Sequence, residues 1–248
     1  MRDVDSIRTG YVIREVPEYF DDDLGGVVWQ PDVYADARRL ATEISAVRVI
    51  DIGAGDGSKL ATLHPQFELI GLDFGRNVER SATLYPFGTW RDHDLDSDAP
   101  LPLTTDELRD SLVVCSDVIE HLRSPDRLVR NLRSLLDTAP AILISTPERE
   151  LWRGVRSLDP PRNPHHVREW SIREFGHLLR RHGFDNVSIG LTRSNDRTDE
   201  AHTIEALMTR DHGLLERLVP LLVDRPVPPP RHPFRARIRR AARILIRG

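Results

Sequence analysis

Residues 49–57 read Val-Ile-Asp-Ile-Gly-Ala-Gly-Asp-Gly, and they are the most informative feature of the sequence. The β-branched run that begins at Val49 is typical of a buried parallel strand. The glycines at positions 53, 55 and 57 let the backbone turn tightly and approach a ligand without a Cβ clash. The periodic residues from Asp56 to Leu63 predict a helix, whose N-terminus favours polar or anionic groups. We therefore expect a strand, a glycine turn and a helix, with a ligand at the turn.

An acid further along the chain indicates which kind of ligand. Asp73 closes a second predicted strand, 20 positions after Gly53, where a carboxylate can accept hydrogen bonds from two ribose hydroxyls. The glycines are spaced G-x-G-x-G, without the third glycine of dinucleotide-binding loops. Asp51 and Asp56 would repel a pyrophosphate but suit a cationic amino-acid group. The pattern therefore favours a nucleoside cofactor that carries a positive charge.

These residues resemble the first motif of class I S-adenosylmethionine-dependent methyltransferases, in particular bacterial ones of types 11 and 23. In that family the acid before the loop lies near the methionine end of the cofactor, and the acid after the second strand holds the ribose. The segment Trp90–Leu95 resembles the family's adenine segment, which makes Asp94 the adenine contact, with Asp92 as the alternative. The resemblance covers about residues 30–210 and implies S-adenosylmethionine as the cofactor. The implied cofactor-binding residues are Asp51, Gly53, Ala54, Gly55, Gly57, Asp73, Phe74, Asp94, Leu95, Ser116 and Asp117.

Strands that alternate with helices predict an α/β fold with a doubly wound, mainly parallel sheet. The resemblance implies a Rossmann-like sheet of seven strands in the order 3-2-1-4-5-7-6. Ser124 before Pro125, and Ser171 with Glu174 three residues later, are helix start signals. Predicted helices cover residues 32–45, 77–84, 125–136 and 172–182, and further strands cover residues 111–116, 141–145, 186–191 and 202–209.

Composition divides the chain into three parts. Residues 1–30 are predicted to form an N-terminal cap or lid over the cofactor, or else a loosely packed arm. The resemblance implies a methyltransferase domain over residues 31–223, and residues 224–248 are predicted to form a proline-rich linker and a basic amphipathic tail. In that tail apolar residues recur at helical spacing between arginines, which predicts a helix on an anionic membrane surface through residues 231–248. RNA, a partner protein and the chain's own acidic domain are the alternative contacts.

The overall composition limits location and partners. The formal net charge is −4, so the domain has no general attraction for nucleic acid. No apolar run is long enough to cross a membrane, and the N-terminus lacks the apolar core of a signal peptide. The single cysteine, Cys115, lies in a predicted buried strand, which favours an inert core role. We expect a cytoplasmic protein that contacts the inner membrane surface only peripherally.

A divalent metal site is predicted after the fourth strand. Asp117, Glu120 and His121 stand at i, i+3 and i+4, so they share one face if the chain turns helical there. Two carboxylates and an imidazole suit Mg²⁺ or another divalent cation. The stretch from His166 to Phe175 also resembles small-RNA 3′-terminal 2′-O-methyltransferases, and the Glu-His pair resembles ubiquinone-pathway O-methyltransferases. The implied metal ligands are Asp117, Glu120, His121 and His166; Asp117 replaces the family's glutamate, and its shorter arm favours contact through water.

A metal-free mechanism is the alternative at the same position. The pair Glu120-His121 then shapes the pocket, and His121 or His165 acts as the general base. Glu120, His121 and His165 are therefore the candidate catalytic residues.

The methyl acceptor is predicted from what surrounds this site. The chain has no Asn/Asp-Pro-Pro-Tyr motif for amino-group methylation, and its one cysteine argues against a cysteine-based mechanism, so transfer to oxygen is favoured. A proline-rich loop over residues 147–168 follows the fifth strand, where ligands of such sheets bind. The arginines of this loop, together with two tryptophans, suit a saccharide or glycolipid; these residues are Arg149, Arg153, Arg156, Arg162, Trp152 and Trp170. A small metabolite is the second choice and RNA the third. A non-catalytic cofactor-binding module and a nicotinamide oxidoreductase are the rival classes.

Overall fold

Eight strands form one mixed sheet in a computed structural model that describes residues 7–18, 26–223 and 244–246. The strands are β1 Arg48–Ile52, β2 Glu68–Asp73, β3 Thr89–Asp92, β4 Ser111–Ser116, β5 Ala141–Pro147, β6 Val187–Thr192, β7 Thr203–Thr209 and β8 Ile244–Ile246. Their order across the sheet is β3-β2-β1-β4-β5-β7-β6-β8. The first seven follow the predicted order 3-2-1-4-5-7-6, so the Rossmann-like prediction is confirmed.

The central strands run parallel. β1 pairs in parallel with β2 and β4, while β7 lies antiparallel between β5 and β6. Every residue of β4 is buried, as expected for a strand covered on both faces. Ile50 and Val113 belong to one core cluster, and Val49 and Leu112 belong to the other. Because both faces are covered, the carboxyl edge of the sheet is where a ligand can reach the strands.

The helices are α1 Pro31–Glu43, α2 Ser58–Ala61, α3 Arg76–Leu84, α4 Thr105–Arg109, α5 Pro125–Leu135, α6 Arg149–Arg153, α7 Ile172–Arg181 and α8 His212–Leu218. The helix predicted from Asp56 to Leu63 is shorter in the structure, because Gly57 has φ 77° and precedes its first turn. Helices α4, α6 and α8 were not predicted. Within the described ranges, no helix has the length and apolar character to cross a membrane.

Capping explains where several helices begin. Ser171 Oγ accepts from the Glu174 N–H, and Glu174 Oε2 accepts from the Ser171 N–H at 2.8 Å, so the predicted capping box is present. Thr104 and Glu107 form the same reciprocal pair before α4. Glu148 is the N-cap of α6, because its Oε2 accepts from Leu151 N at 2.6 Å.

The N-terminal segment runs beside the loop after β5. Val12 N donates to Leu158 O at 2.8 Å, and Arg14 N donates to Val167 O at 2.8 Å. Residues 7–18 are therefore attached to the proposed acceptor loop. Their role as a cap over the cofactor stays a prediction.

The C-terminal tail differs from the prediction. The expected amphipathic helix included Leu245, but Ile244–Ile246 form an antiparallel edge strand in which Ile246 pairs with Val187. The Ile-Leu-Ile run favours a strand, and the open edge of β6 offers backbone groups to pair with it. The proline-rich linker and the rest of the tail lie outside the described residues, so the membrane contact and the domain boundaries stay predictions.

Candidate active site

The glycine turn after β1 is held against its neighbours. Gly53, Gly55 and Gly57 have φ of 82°, 57° and 77°, which is the left-handed region that glycine adopts without strain. A Cβ at Gly53 would overlap the methyl groups of Val118, which follows β4. Ala54 is buried between the glycines. The turn therefore lies close to the exit of β4, and a side chain at Gly53 has no room there.

One indole supports this turn from β3. A Cβ added at Gly57, Gly71 or Gly88 would overlap the ring of Trp90. The Trp90 Nε1–H donates to the Tyr85 carbonyl at 2.8 Å. The ring therefore occupies a fixed place formed by three glycines.

Asp51 is the second-last residue of β1 and is buried. The Tyr34 hydroxyl donates to its Oδ2 at 2.6 Å, while Oδ1 is buried and has no hydrogen-bond partner in the described part of the chain. Burial raises the pKa of Asp51 to about 6, although the Tyr34 hydrogen bond and the charge of Lys59 oppose that rise. A buried acceptor without a donor is unfavourable, so Asp51 fits the cationic amino-acid end of S-adenosylmethionine.

The Asp73 carboxylate is oriented by two backbone N–H groups and one side-chain amide. Its Oδ2 accepts from Gly55 N at 2.8 Å, and its Oδ1 accepts from Phe74 N at 2.8 Å and Asn77 Nδ2 at 3.1 Å. Phe74, which follows it, is 40% exposed at the end of β2. This fixed acid at the sheet edge fits the ribose role that the resemblance implies.

Two further acids stand on the adenine side. Asp92 ends β3 beside Asp73 in the strand register, and Gly75 N donates to its Oδ1 at 3.3 Å. Asp94 is exposed and accepts from Asp96 N at 2.9 Å, while Leu95 is buried. Either acid can face an adenine amino group, so this assignment stays a prediction.

A buried polar network follows β4. Gln30 Oε1 accepts from Ser116 Oγ at 3.2 Å and from Ser145 Oγ at 2.5 Å. Gln30 Nε2 donates to Asp117 Oδ1 at 2.5 Å, and Asp117 has φ 62°. Gln30, which sequence reasoning missed, thus connects the entry of α1 to the exits of β4 and β5.

Asp117 and Glu120 carry opposite pKa shifts. Burial, reinforced by the charge of Asp117, raises the pKa of Glu120 well above its usual range. Burial also favours the neutral form of Asp117, but the charge of Lys59 and a hydrogen bond with Glu120 bring its pKa below the usual value. Thr146 Oγ1 donates to Glu120 Oε2 at 2.9 Å. Glu120 Oε1 has no hydrogen-bond partner within the described ranges.

Three of the four predicted metal ligands come together. The ligand atoms of Glu120, His121 and His166 lie within 4.8 Å of one another, and the two imidazole rings meet edge to face at 4.8 Å. Asp117 is not part of this group, and its Oδ1 accepts from Gln30 Nε2. Metal binding by these residues stays a prediction.

The two candidate bases differ in environment. Burial and the neighbouring His166 lower the pKa of His121 to about 3, so its ring is neutral at pH 7. Its Nδ1 lies 3.1 Å from the His165 carbonyl oxygen, which leaves Nε2 with the lone pair. His165 contributes this backbone carbonyl, and its half-buried ring lies near the Glu18 carbonyl, outside the three-residue group.

Some predicted acceptor residues are structural instead. Trp170 is 1% exposed and packs edge-on against Phe175, so it cannot stack on a substrate. Arg149 is equally buried and ion-paired with Glu174 at 2.8 Å. Among the aromatic candidates Trp152 remains exposed, with its ring 5.1 Å from that of His202. Arg156 and Arg162 are exposed, and the side chain of Arg153 is 5% exposed.

The seven-stranded order, the glycine turn and the acid after β2 together define a class I S-adenosylmethionine-dependent methyltransferase domain. The chain belongs to the type-23 methyltransferase-domain family, whose sequence pattern matches residues 11–189.

Relatives agree with this assignment. Proteins from two strains of Mycobacterium tuberculosis, described as probable S-adenosylmethionine-dependent methyltransferases, are each 31% identical over 156 residues. The match covers 61% of this chain and 54% of each relative, so the chain spans about half the length of the curated relatives it matches.

Solved structures share the fold. The methyltransferase domain of bacterial CtHen1 has a TM-score of 0.54 and 20% identity over 72% of this chain and 97% of that one. The N-terminal domain of EvdMO1 has a TM-score of 0.50 and 19% identity over 72% of this chain and 82% of that one.

Proposed function

We propose that this domain is an S-adenosylmethionine-dependent O-methyltransferase that acts on a hydroxyl of a saccharide or glycolipid. A divalent cation assists the transfer, and Mg²⁺ is the first candidate. The observation that carries the proposal is the group formed by the buried Glu120 and His166 and the half-buried His121. Glu120 Oε1 accepts no hydrogen bond from a described residue, and such a buried oxygen suits a cation ligand.

The chain's own residues arrange the cofactor. Asp73 accepts hydrogen bonds from the ribose, and Asp51 faces the cationic amino-acid end. S-adenosylmethionine supplies a methyl group that its sulfonium already activates. The protein therefore has to align the acceptor oxygen in line with that methyl group and exclude water.

The acceptor hydroxyl must lose a proton during the attack. When bound, a divalent cation lowers the pKa of a hydroxyl that it coordinates. Glu120, His121 and His166 would hold the cation. Asp117, hydrogen-bonded to Gln30, would contact it through water.

The saccharide class rests on the exposed part of the loop after β5. Trp152 is 43% exposed and can stack on a sugar ring, while the exposed Arg156 and Arg162 can hydrogen-bond its oxygens. The EvdMO1 domain was crystallised in the presence of SAH and D-fucose, which supports testing sugars first. A small metabolite is the second candidate.

Labelled methyl transfer tests the proposal. The purified protein would receive methyl-labelled S-adenosylmethionine with glycolipid, oligosaccharide, small-metabolite or RNA pools, each with Mg²⁺ or with EDTA. We expect label in a saccharide pool that disappears with EDTA. Label that survives EDTA would refute the role of the cation, and label in a different pool would refute the acceptor class.

Neighbouring histidines provide a matched pair of variants. His166→Gln removes a proposed ligand, while His165→Gln alters the adjacent ring outside the three-residue group. We expect His166→Gln to abolish the Mg²⁺-dependent activity and His165→Gln to retain most of it. The opposite result would identify His165 as the general base.

A further inference from the structure

Hydrogen-bond partners on both sides of the ring determine the tautomer of His166. Its Nδ1 lies 2.9 Å from Glu169 Oε1, and its Nε2 lies 2.9 Å from Asn163 Nδ2. A carboxylate accepts and a side-chain amide nitrogen donates. Nδ1 therefore carries the proton, and Nε2 carries the lone pair.

Glu169 is itself held firmly. It is 6% exposed, its N–H donates to the Tyr11 hydroxyl at 3.1 Å, and its carbonyl accepts from Arg149 Nη1 at 2.9 Å. Its second carboxylate oxygen lies 3.5 Å from Arg153 Nη1. The main chain is thus anchored on both sides of the carboxylate that meets His166.

We propose that Glu169 is a positioning residue that selects the Nδ1–H tautomer of His166 and so keeps Nε2 available to a divalent cation bound with Glu120 and His121. The inference rests on the proposed metal role of that group. Mutation of a carboxylate that orients a metal-binding histidine commonly weakens metal affinity by about 10- to 100-fold. In the metal-free protein Asn163 Nδ2 donates to the same Nε2 at 2.9 Å, and a bound cation would take the place of that donor.

Glu169 also has an ordinary structural partner in Arg153, and the test must separate the two roles. Arg153→Gln removes that ion pair without touching His166. Glu169→Ala removes both contacts, and Glu169→Gln keeps an amide oxygen that can still accept from Nδ1–H.

The experiment uses the full chain and two measurements. Side-chain ¹⁵N NMR of the metal-free protein, with the His166→Gln variant for assignment, identifies the tautomer. Titration with Mn²⁺, followed by electron paramagnetic resonance, gives the cation affinity. We expect Glu169→Ala to populate the Nε2–H tautomer and to weaken Mn²⁺ binding by about 10- to 100-fold. Glu169→Gln should be intermediate, and Arg153→Gln should match the wild type in both measurements.

The outcomes are distinguishable. A Glu169→Ala protein with the wild-type tautomer and Mn²⁺ affinity would overturn the inference and leave the metal role intact. If Arg153→Gln changed the tautomer and weakened Mn²⁺ binding as much as Glu169→Ala, the inference would also be overturned. The loss of the Arg153–Glu169 ion pair would then explain both effects. A wild type that binds no Mn²⁺ would overturn both the metal role and this inference. If Glu169→Ala does not fold, wild-type behaviour of Glu169→Gln in both measurements would overturn the inference, and the intermediate result would support it.

Discussion

Replacing Tyr34 with phenylalanine removes one hydroxyl, and the pH dependence of cofactor binding should reveal the loss. That hydroxyl donates to Asp51 Oδ2 at 2.6 Å, and the other oxygen of Asp51 already has no described partner. A hydrogen bond to a charged acceptor contributes about 1.5–3 kcal/mol. At 1.36 kcal/mol per pKa unit, its removal should raise the pKa of Asp51 by about 1–2 units.

The direction of the effect follows from the ionised form. Only a deprotonated Asp51 attracts the cationic end of S-adenosylmethionine, so affinity should fall as pH decreases through the pKa of Asp51 in the free protein. That pKa is about 6 in the wild type, and we expect about 7–8 in Tyr34→Phe. At pH 7 the variant should bind about 2- to 10-fold more weakly, and the two proteins should converge near pH 8.5.

Isothermal titration calorimetry with S-adenosylmethionine between pH 5 and pH 8.5 measures both profiles. Tyr85→Phe makes the same chemical change at a half-buried tyrosine whose ring lies beside Phe87 and Trp90, and it should reproduce the wild-type curve. A folded Tyr34→Phe protein with an unshifted midpoint would refute the reasoning about Asp51.

Four other substitutions give further predictions. Gly53→Ala places a side chain at φ 82°, so strain should lower the unfolding free energy by about 1–2 kcal/mol, and cofactor binding should weaken. Urea unfolding should show that Val118→Ala, which relieves the overlap, restores part of this lost stability. Burial raises the pKa of Glu148 to about 7, above its unfolded value, so this group should lower stability by at most about 3 kcal/mol as pH rises from about 4.5 to about 7. Asp51, whose pKa burial raises to about 6, adds a slope of the same sign, so Glu148→Gln should make the pH slope in urea unfolding shallower without abolishing it. Trp152→Ala should raise the acceptor KM about 2- to 10-fold with kcat unchanged, measured with the labelled saccharide pool. Thr104→Ala should cost about 1 kcal/mol of unfolding free energy and leave calorimetric cofactor affinity unchanged.

Each of these has a contrary result. Gly53→Ala with wild-type stability would mean that the turn relaxes freely. A Glu148→Gln protein with the wild-type pH slope would place the titrating group elsewhere. An unchanged KM in Trp152→Ala would remove the stacking role, and a cofactor defect in Thr104→Ala would show that α4 supports the site.

Local patterns predicted the parts of the site that a few neighbouring residues determine. The glycine turn, Asp73 and the capping box at Ser171 each follow from spacing within a short segment. The same capping signal at Thr104 and Glu107 was present in the sequence, so α4 was predictable. The tail was not, because a helical spacing of apolar residues does not reveal that β6 offers an open edge.

Contacts between segments that are distant in the chain could not be predicted from local sequence patterns. Gln30 reaches Asp117 across 87 positions, and no local spacing indicates that pair. Trp170 was predicted to stack on a sugar together with the arginine-rich loop, but packing places its ring in the core. Glu169 stands three residues after His166, yet only the structure shows that its carboxylate meets the ring.

The place of Trp90 among three glycines has an evolutionary consequence. Gly57, Gly71 and Gly88 come from separate segments, but a side chain at any of them would overlap the same ring. Whether a side chain is tolerated at any of the three glycines therefore depends on the size of the residue at position 90. Homologous chains that carry a smaller residue in place of Trp90 should be the ones that admit alanine or serine at Gly71, which needs no positive φ. The four positions should covary across the family, and Gly57, with φ 77°, should be the slowest to change.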